Sequence, residues 1–166
     1  EIKGNNIDSE GFEVLFSSLL NCPNLKSIEA EWNSIGTSPQ DGTVGAFGKE
    51  LAISVFIDLK NNRISHQLAP LICEIIESNN RSLKVLDLRW NELGEIGAQS
   101  IYRSLAYNSN LKYIGLEDNR ISMQSLRQIE EMMKNVTRGT KEATGLRDNR
   151  MNRTQPAGWV GNVSGL

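Results

Sequence analysis

The chain has 166 residues, 39% of them hydrophobic and 23% charged, with a formal net charge of −2. This mixture describes one soluble globular unit, and the slight acidity argues against a general nucleic-acid binder. No apolar run approaches the roughly 18 residues of a membrane-spanning helix.

In chain order, one phrase returns again and again: apolar–x–apolar–x–x–Asn–x–apolar. A truncated copy contains Ile2 and Asn5, and fuller copies begin at Leu25, Ser54, Leu83 and Leu111. Their asparagines are Asn5, Asn33, Asn62, Asn91 and Asn119, spaced 28 or 29 residues apart. The alternating apolar pairs Ile28/Ala30, Ile57/Leu59, Leu86/Leu88 and Ile114/Leu116 predict short strands with one buried face. Each asparagine then turns the chain. Its amide is expected to bond backbone groups of the turn and of the next repeat, so that the stacked side chains form a ladder.

Between these phrases the period changes from two to 3.6. Phe12, Leu15, Phe16, Leu19 and Leu20 predict a helix after the first phrase, and Leu68, Leu71, Ile72, Ile75 and Ile76 predict one after the third. Ile101 with Leu105, and Leu126 with Ile129 and Met133, continue the pattern. The second connection differs, because Pro39 and Gly42 mark a loop and Gly45 and Gly48 are poor helix-interior residues. A short or bulged outer segment is expected there.

Self-similarity at this period is the signature of the leucine-rich repeat, L-x-x-L-x-L-x-x-N-x-L, and predicts an α/β right-handed solenoid or horseshoe. A parallel sheet would line its concave side and helices its convex side. Residues 1–134 are read as this domain, with an uncapped first repeat that implies further chain upstream. Residues 135–166 are read as a tail with five basic residues against two acidic ones. Within the tail, Leu146-Arg147-Asp148-Asn149-Arg150-Met151 reads either as a degenerate closing repeat or as coincidence. Cys22 and Cys73 lie far apart and match no metal-ligand spacing, which favours a reducing, cytoplasmic compartment. Four Asn-x-Ser/Thr patterns, at Asn80, Asn135, Asn152 and Asn162, would never meet the glycosylation machinery there.

The positions between the strand apolar residues face the concave side and supply the candidate protein-binding residues. One column runs Glu1, Glu29, Asp58, Asp87, Gly115, and the next Lys3, Glu31, Lys60, Arg89, Glu117. A third, just before each ladder asparagine, runs Gly4, Trp32, Asn61, Trp90, Asp118. Trp32 and Trp90 stand out as exposed aromatic anchors, the residue type that dominates binding energy at interfaces. The alternative is that each ring lies flat on its neighbouring repeat with the indole N–H bonded locally. Tyr113 and the tail residue Trp159 complete the candidates. The lone histidine, His66, sits at a helix start beside Ser65, where capping is expected rather than base chemistry. No phosphate loop, nucleophile elbow or metal constellation is present, so no catalytic residue, cofactor or small-molecule substrate is expected.

The helix-bearing period resembles the ribonuclease-inhibitor subclass of leucine-rich repeats, which includes Ran GTPase activators, NOD-like sensors and axonemal proteins. A finer resemblance lies in Lys3-Gly4-Asn5-Asn6, Glu31-Trp32-Asn33-Ser34-Ile35-Gly36-Thr37, Asp58-Leu59-Lys60-Asn61-Asn62-Arg63-Ile64-Ser65-His66 and Asp87-Leu88-Arg89-Trp90-Asn91. These segments are similar, in order, to a leucine-rich-repeat family of centrosomes and ciliary basal bodies whose repeats precede a coiled coil. The heptads of that family do not follow Lys134 here. The resemblance implies a non-enzymatic scaffold in a centrosome, basal body or axoneme, with other proteins as partners and a cytoskeletal location. The alternative reading is a Ran-type GTPase-activating or NOD-like regulatory module.

Overall fold

The computed structural model describes residues 1–19, 24–36, 56–77 and 83–136. Four three-residue strands, β1 (Ser27–Glu29), β2 (Phe56–Asp58), β3 (Val85–Asp87) and β4 (Tyr113–Gly115), form one parallel sheet in sequence order. Their register stacks like on like, with Ile28, Ile57, Leu86 and Ile114 in one column and Glu29, Asp58, Asp87 and Gly115 in the next. The apolar column is buried, as are Ala30, Leu59, Leu88 and Leu116 two residues further on. The period-two alternation therefore sorts the side chains between a core face and an open face.

Parallel strands need long crossovers, and helices supply them. Helices α1 (Ser9–Leu19), α2 (Ala69–Glu77), α3 (Gly94–Leu105) and α4 (Met123–Val136) follow the first, third, fourth and fifth asparagines, and α3 packs against both α2 and α4. The expected face of α2 is buried: Leu68 in the 3₁₀ turn before it, then Leu71, Ile72, Ile75 and Ile76. Ile101 and Leu105 of α3, and Leu126, Ile129 and Met133 of α4, complete one continuous core with Phe12 of α1. Burying each large aliphatic side chain stabilises the fold by about 1.5–3 kcal/mol relative to leaving it exposed.

Side chains cap the starts of α1, of the 3₁₀ turn before α2 and of α4, while α3 has no side-chain cap. Asp8 accepts from the Gly11 amide, Ser65 from Gln67 and Ser122 from Ser125. The cap of α4 also joins repeats, because Glu95 of α3 accepts from the Ser122 backbone N–H and from Ser125 Oγ at 2.6 Å. The Ser125 bond, with those from Ser122, holds the Glu95 carboxyl below its usual range, against the opposing effect of burial. The expected short outer segment after the second asparagine, Ser54, and the closing phrase at 146–151 lie outside the described residues.

The asparagines reach toward the preceding repeat, not the following one. Asn91 Nδ2 donates to Leu59 O and Leu88 O at 2.9 Å each, and its Oδ1 accepts from Asn62 N at 2.9 Å and Ile64 N at 3.0 Å. Asn33 makes the same set of bonds to Ile2 O, Ala30 O, Asn5 N and Ile7 N. The direction follows from the strands. Ile2 and Leu59 donate their N–H forward, to Glu29 and Asp87, and a strand residue turns its C=O to the same side as its N–H. Those forward-facing carbonyls meet the asparagine of the next repeat.

One rung is incomplete. Asn62 donates to Ala30 O at 2.9 Å, but its buried Oδ1 has no hydrogen-bond partner. At the same junction Gly36 lies so close to the third repeat that a Cβ there would sit 1.8 Å from the Arg63 carbonyl oxygen. Only glycine permits that approach.

Candidate interaction site

Two surfaces flank the ladder, and the candidate residues divide between them. On the open face of the sheet, the in-register stacking brings charges from neighbouring repeats into contact. Glu31 lies between two lysines, 2.5 Å from Lys3 Nζ and 2.8 Å from Lys60 Nζ, and Lys60 also pairs with Asp58 at 2.9 Å. Further along, Arg89 donates to both oxygens of Asp87, with Nε at 2.9 and 3.0 Å and Nη2 at 2.6 Å, and approaches Glu117 at 3.6 Å. Glu31, Asp58, Asp87 and Arg89 are all buried. The expectation of recognition columns open to solvent is corrected for these four. Each charge needs a counter-charge once the next repeat covers it, and the stacked columns supply one.

The protonation equilibria carry the mark of this packing. Burial raises the Asp58 pKa, reinforced by the charge of Asp87 and opposed by Lys60. Burial works the other way from the partners at Glu31, where hydrogen bonds from Lys3 and Lys60 win and hold the carboxyl below its ordinary range. For Arg89, burial disfavours the charge, yet the Asp87 bonds keep it fully protonated. Tyr113 is pushed upward by burial and by Asp87. A Cβ on Gly115 would lie 2.7 Å from Asp87 Oδ1 and 3.1 Å from both Arg89 Cγ and the Tyr113 hydroxyl, so the Asp87–Arg89 pair, with the tyrosine, fills the space that a side chain in this column would need.

The second surface is the rim where the chain leaves the strands. The residue before every ladder asparagine has positive φ: Gly4 (68°), Trp32 (60°), Asn61 (52°), Trp90 (55°) and Asp118 (57°). Glycine, asparagine and aspartate accept this left-handed region readily; for a tryptophan it costs roughly 1–2 kcal/mol. The residue after the asparagine is also left-handed in alternate repeats, at Asn6, Arg63 and Arg120. In the repeats between, Ser34 and Glu92 instead make parallel bridges to Asp8 and Ser65. Two turn geometries therefore alternate along the rim.

Between these positions lies a cleft of about 610 Å³. Trp32, Asn61, Trp90 and Asp118 line it from before the asparagines, and Arg63, Glu92 and Arg120 from after them. Trp32 is 50% exposed, as expected of an anchor. Trp90 is only partly exposed and matches the alternative of a locally bonded ring: its indole N–H donates to Asp118 Oδ2 at 2.6 Å and the Arg89 guanidinium lies 5.8 Å from its ring centroid. Arg120 approaches Glu92 at 3.8 Å with both side chains largely in solvent. Arg63 is exposed and has no ion pair among the described residues.

The sequence reading picked out the tryptophan column but not Arg63, Glu92 and Arg120. Their signal is the same beat one residue past each asparagine. Glu29 and Glu117 stay partly exposed at the open face, while Trp159 lies outside the described residues. His66 is exposed behind its Ser65 cap, and Cys73 is half-buried, its thiol pushed up by burial. Among the described residues no group of three or more His, Cys, Asp or Glu is placed to hold a metal ion. No described helix is long and apolar enough to cross a membrane.

A family model described as "Leucine Rich repeat" matches residues 79–101. That stretch contains β3, the Asn91 turn and most of α3. Among solved structures, the tropomodulin C-terminal domain of Caenorhabditis elegans aligns at 16% identity with a TM-score of 0.39, over 73% of this chain and 92% of that one. Repeats of the matched type are typically binding modules, which points to protein–protein interaction and protein partners. The matched repeat, the parallel four-stranded sheet and its helices fit an α/β fold of leucine-rich-repeat type.

Proposed function

We propose that this chain is a non-enzymatic protein-interaction scaffold, built as a right-handed horseshoe of ribonuclease-inhibitor-type repeats and working in a microtubule-based assembly. The observation that carries the interaction reading is the rim cleft. Trp32 is half exposed there in a backbone conformation that disfavours it, beside Arg63, which is exposed and has no ion pair among the described residues. Strain retained next to an open aromatic surface is the pattern of a recognition site. The cytoskeletal part rests on the sequence resemblance of the segments around Asn5, Asn33, Asn62 and Asn91 to leucine-rich repeat-containing protein 45. It makes the centrosome, the basal body and the ciliary axoneme the locations to test.

The test is proximity labelling and imaging of the tagged protein against centriole and axoneme markers in ciliated cells. Enrichment of specific proteins at either structure is the expected result. Diffuse cytosolic signal would remove the cytoskeletal assignment, and stimulated GTP hydrolysis by a captured GTPase would replace the scaffold with a regulator.

A further inference from the structure

We infer that the rim cleft binds a polyproline II segment carrying Pro-x-x-Pro and a nearby carboxylate. This rests on the interaction reading above and specifies its ligand.

The argument begins with spacing. Trp32, Asn61 and Trp90 occupy equivalent positions in three successive repeats, and a hydrogen-bond ladder runs through them: Trp32 N to Lys60 O, Asn61 N to Arg89 O, Trp90 N to Glu117 O. The rim therefore keeps the spacing of the sheet, and two repeats separate the tryptophans by about 9.6 Å. A polyproline II helix repeats every three residues, about 9.3 Å. Prolines at the ends of Pro-x-x-Pro thus match the two indoles in phase.

The chemistry between the rings fits the same ligand. A polyproline II backbone makes no internal hydrogen bonds, so its carbonyls need donors from the groove. Asn61 supplies a side-chain amide between the tryptophans, and Arg63 supplies a guanidinium beside it. Aromatic-lined grooves that dock such segments exploit a ligand already stiff before it binds.

Charge then selects the flanking residue. Asp118 is engaged by the Trp90 indole, and Glu92 stands within reach of Arg120. Among the described residues Arg63 is exposed and has no ion pair, and the complement of its guanidinium is a carboxylate on the peptide.

The test is a fluorescence-anisotropy titration of the whole chain with labelled synthetic decapeptides. One carries Pro-x-x-Pro with a glutamate, one Pro-x-Pro with the same composition, and one Pro-x-x-Pro with glutamine for glutamate. Saturable binding to the first is expected, weakened at least about tenfold by the altered spacing and severalfold by the glutamine. Trp32→Ala should weaken the first peptide by about tenfold or more. Arg63→Ala should weaken the glutamate peptide by a larger factor than the glutamine peptide, which loses only a backbone donor. Circular-dichroism melts of both variants separate lost binding from lost folding, and Arg63 is exposed enough to serve as the control that folds.

No binding by the intact chain, or equal binding of the two spacings, overturns the inference. If proximity labelling still captures partners in that case, the interaction reading stands and only its ligand class falls. If labelling finds none while the peptide binds with the stated spacing dependence, the ligand class stands and the assembly reading falls.

Discussion

The open face of the sheet and the rim cleft lie on either side of the same asparagine ladder and treat charge in opposite ways. On the face, Asp87 and Arg89 are 2% and 7% exposed and bond each other through three contacts. On the rim, Arg120 and Glu92 are 3.8 Å apart, with side chains 78% and 48% exposed. The residues that look most like a binding surface in the sequence are engaged in holding repeats together. The availability lies at the rim, with Trp32 one step before the ladder and Arg63 and Arg120 one step beyond it, where the backbone turns through left-handed conformations.

The ladder supports both surfaces, so breaking it should cost the most. Asn91→Ala leaves the buried carbonyl of Leu59 and the amides of Asn62 and Ile64 without this partner, while Leu88 O keeps its bond from Asn119 Nδ2 at 2.7 Å. At about 1–3 kcal/mol per buried unmade bond, partly relieved by relaxation, a loss of roughly 4 kcal/mol is expected. Asn62→Ala removes donors to Ala30 O and Lys60 O while also removing an oxygen that already lacks a partner. Its loss should be about half as large. Urea unfolding of both variants measures the difference, and equal losses would mean that the rungs are energetically alike despite the missing bonds.

The next prediction addresses the comparison itself. Arg89→Met leaves Asp87 buried and unpaired, and should destabilise the fold by about 3 kcal/mol. Adding Asp87→Leu should recover most of that loss, because a buried pair is often replaceable by apolar residues of similar size. Arg120→Met, on the rim, should change stability by less than about 0.5 kcal/mol. A large effect of Arg120→Met would make the rim another structural surface and remove the distinction.

Much of the frame was legible because the period carries it. Once the asparagines set the beat, Ile28, Ile57, Leu86 and Ile114 had to share a face, and Leu71, Ile72, Ile75 and Ile76 had to bury theirs. The fate of the charges was not legible. Whether Lys60 bridges Glu31 and Asp58 depends on the height at which two repeats stack, which no single phrase encodes. Gly115 looked like a gap in an acidic column, and only the crowding by Asp87, Arg89 and Tyr113 gives it a reason. Which of the two tryptophans is held locally was equally hidden, since the partner of Trp90, Asp118, is 28 residues away. Arg63 and Arg120 lie past the apolar alternation of the strands, and only the beat of the turn residues marks them.

The smallest predicted effects test why tryptophan occupies a left-handed position twice. Trp32→Gly relieves backbone strain of roughly 1–2 kcal/mol, offset by the greater freedom of glycine in the unfolded chain, about 0.4–1 kcal/mol, and by the loss of whatever apolar area the half-exposed ring covers. The net change should stay within about 0.5 kcal/mol of zero. Trp90→Gly relieves the same strain but also removes the indole bond to Asp118 and the Arg89 contact. A hydrogen bond to a charged group is worth about 1.5–3 kcal/mol and a cation–π contact about 0.5–1 kcal/mol, so this variant should lose about 1 kcal/mol or more. Thermal denaturation of the pair ranks them directly. A Trp32→Gly variant as unstable as Trp90→Gly would assign Trp32 to the framework and leave the rim without a free anchor. The expected order instead leaves Trp32 as a residue whose strain the fold tolerates without structural return, which is the condition for it to serve a ligand.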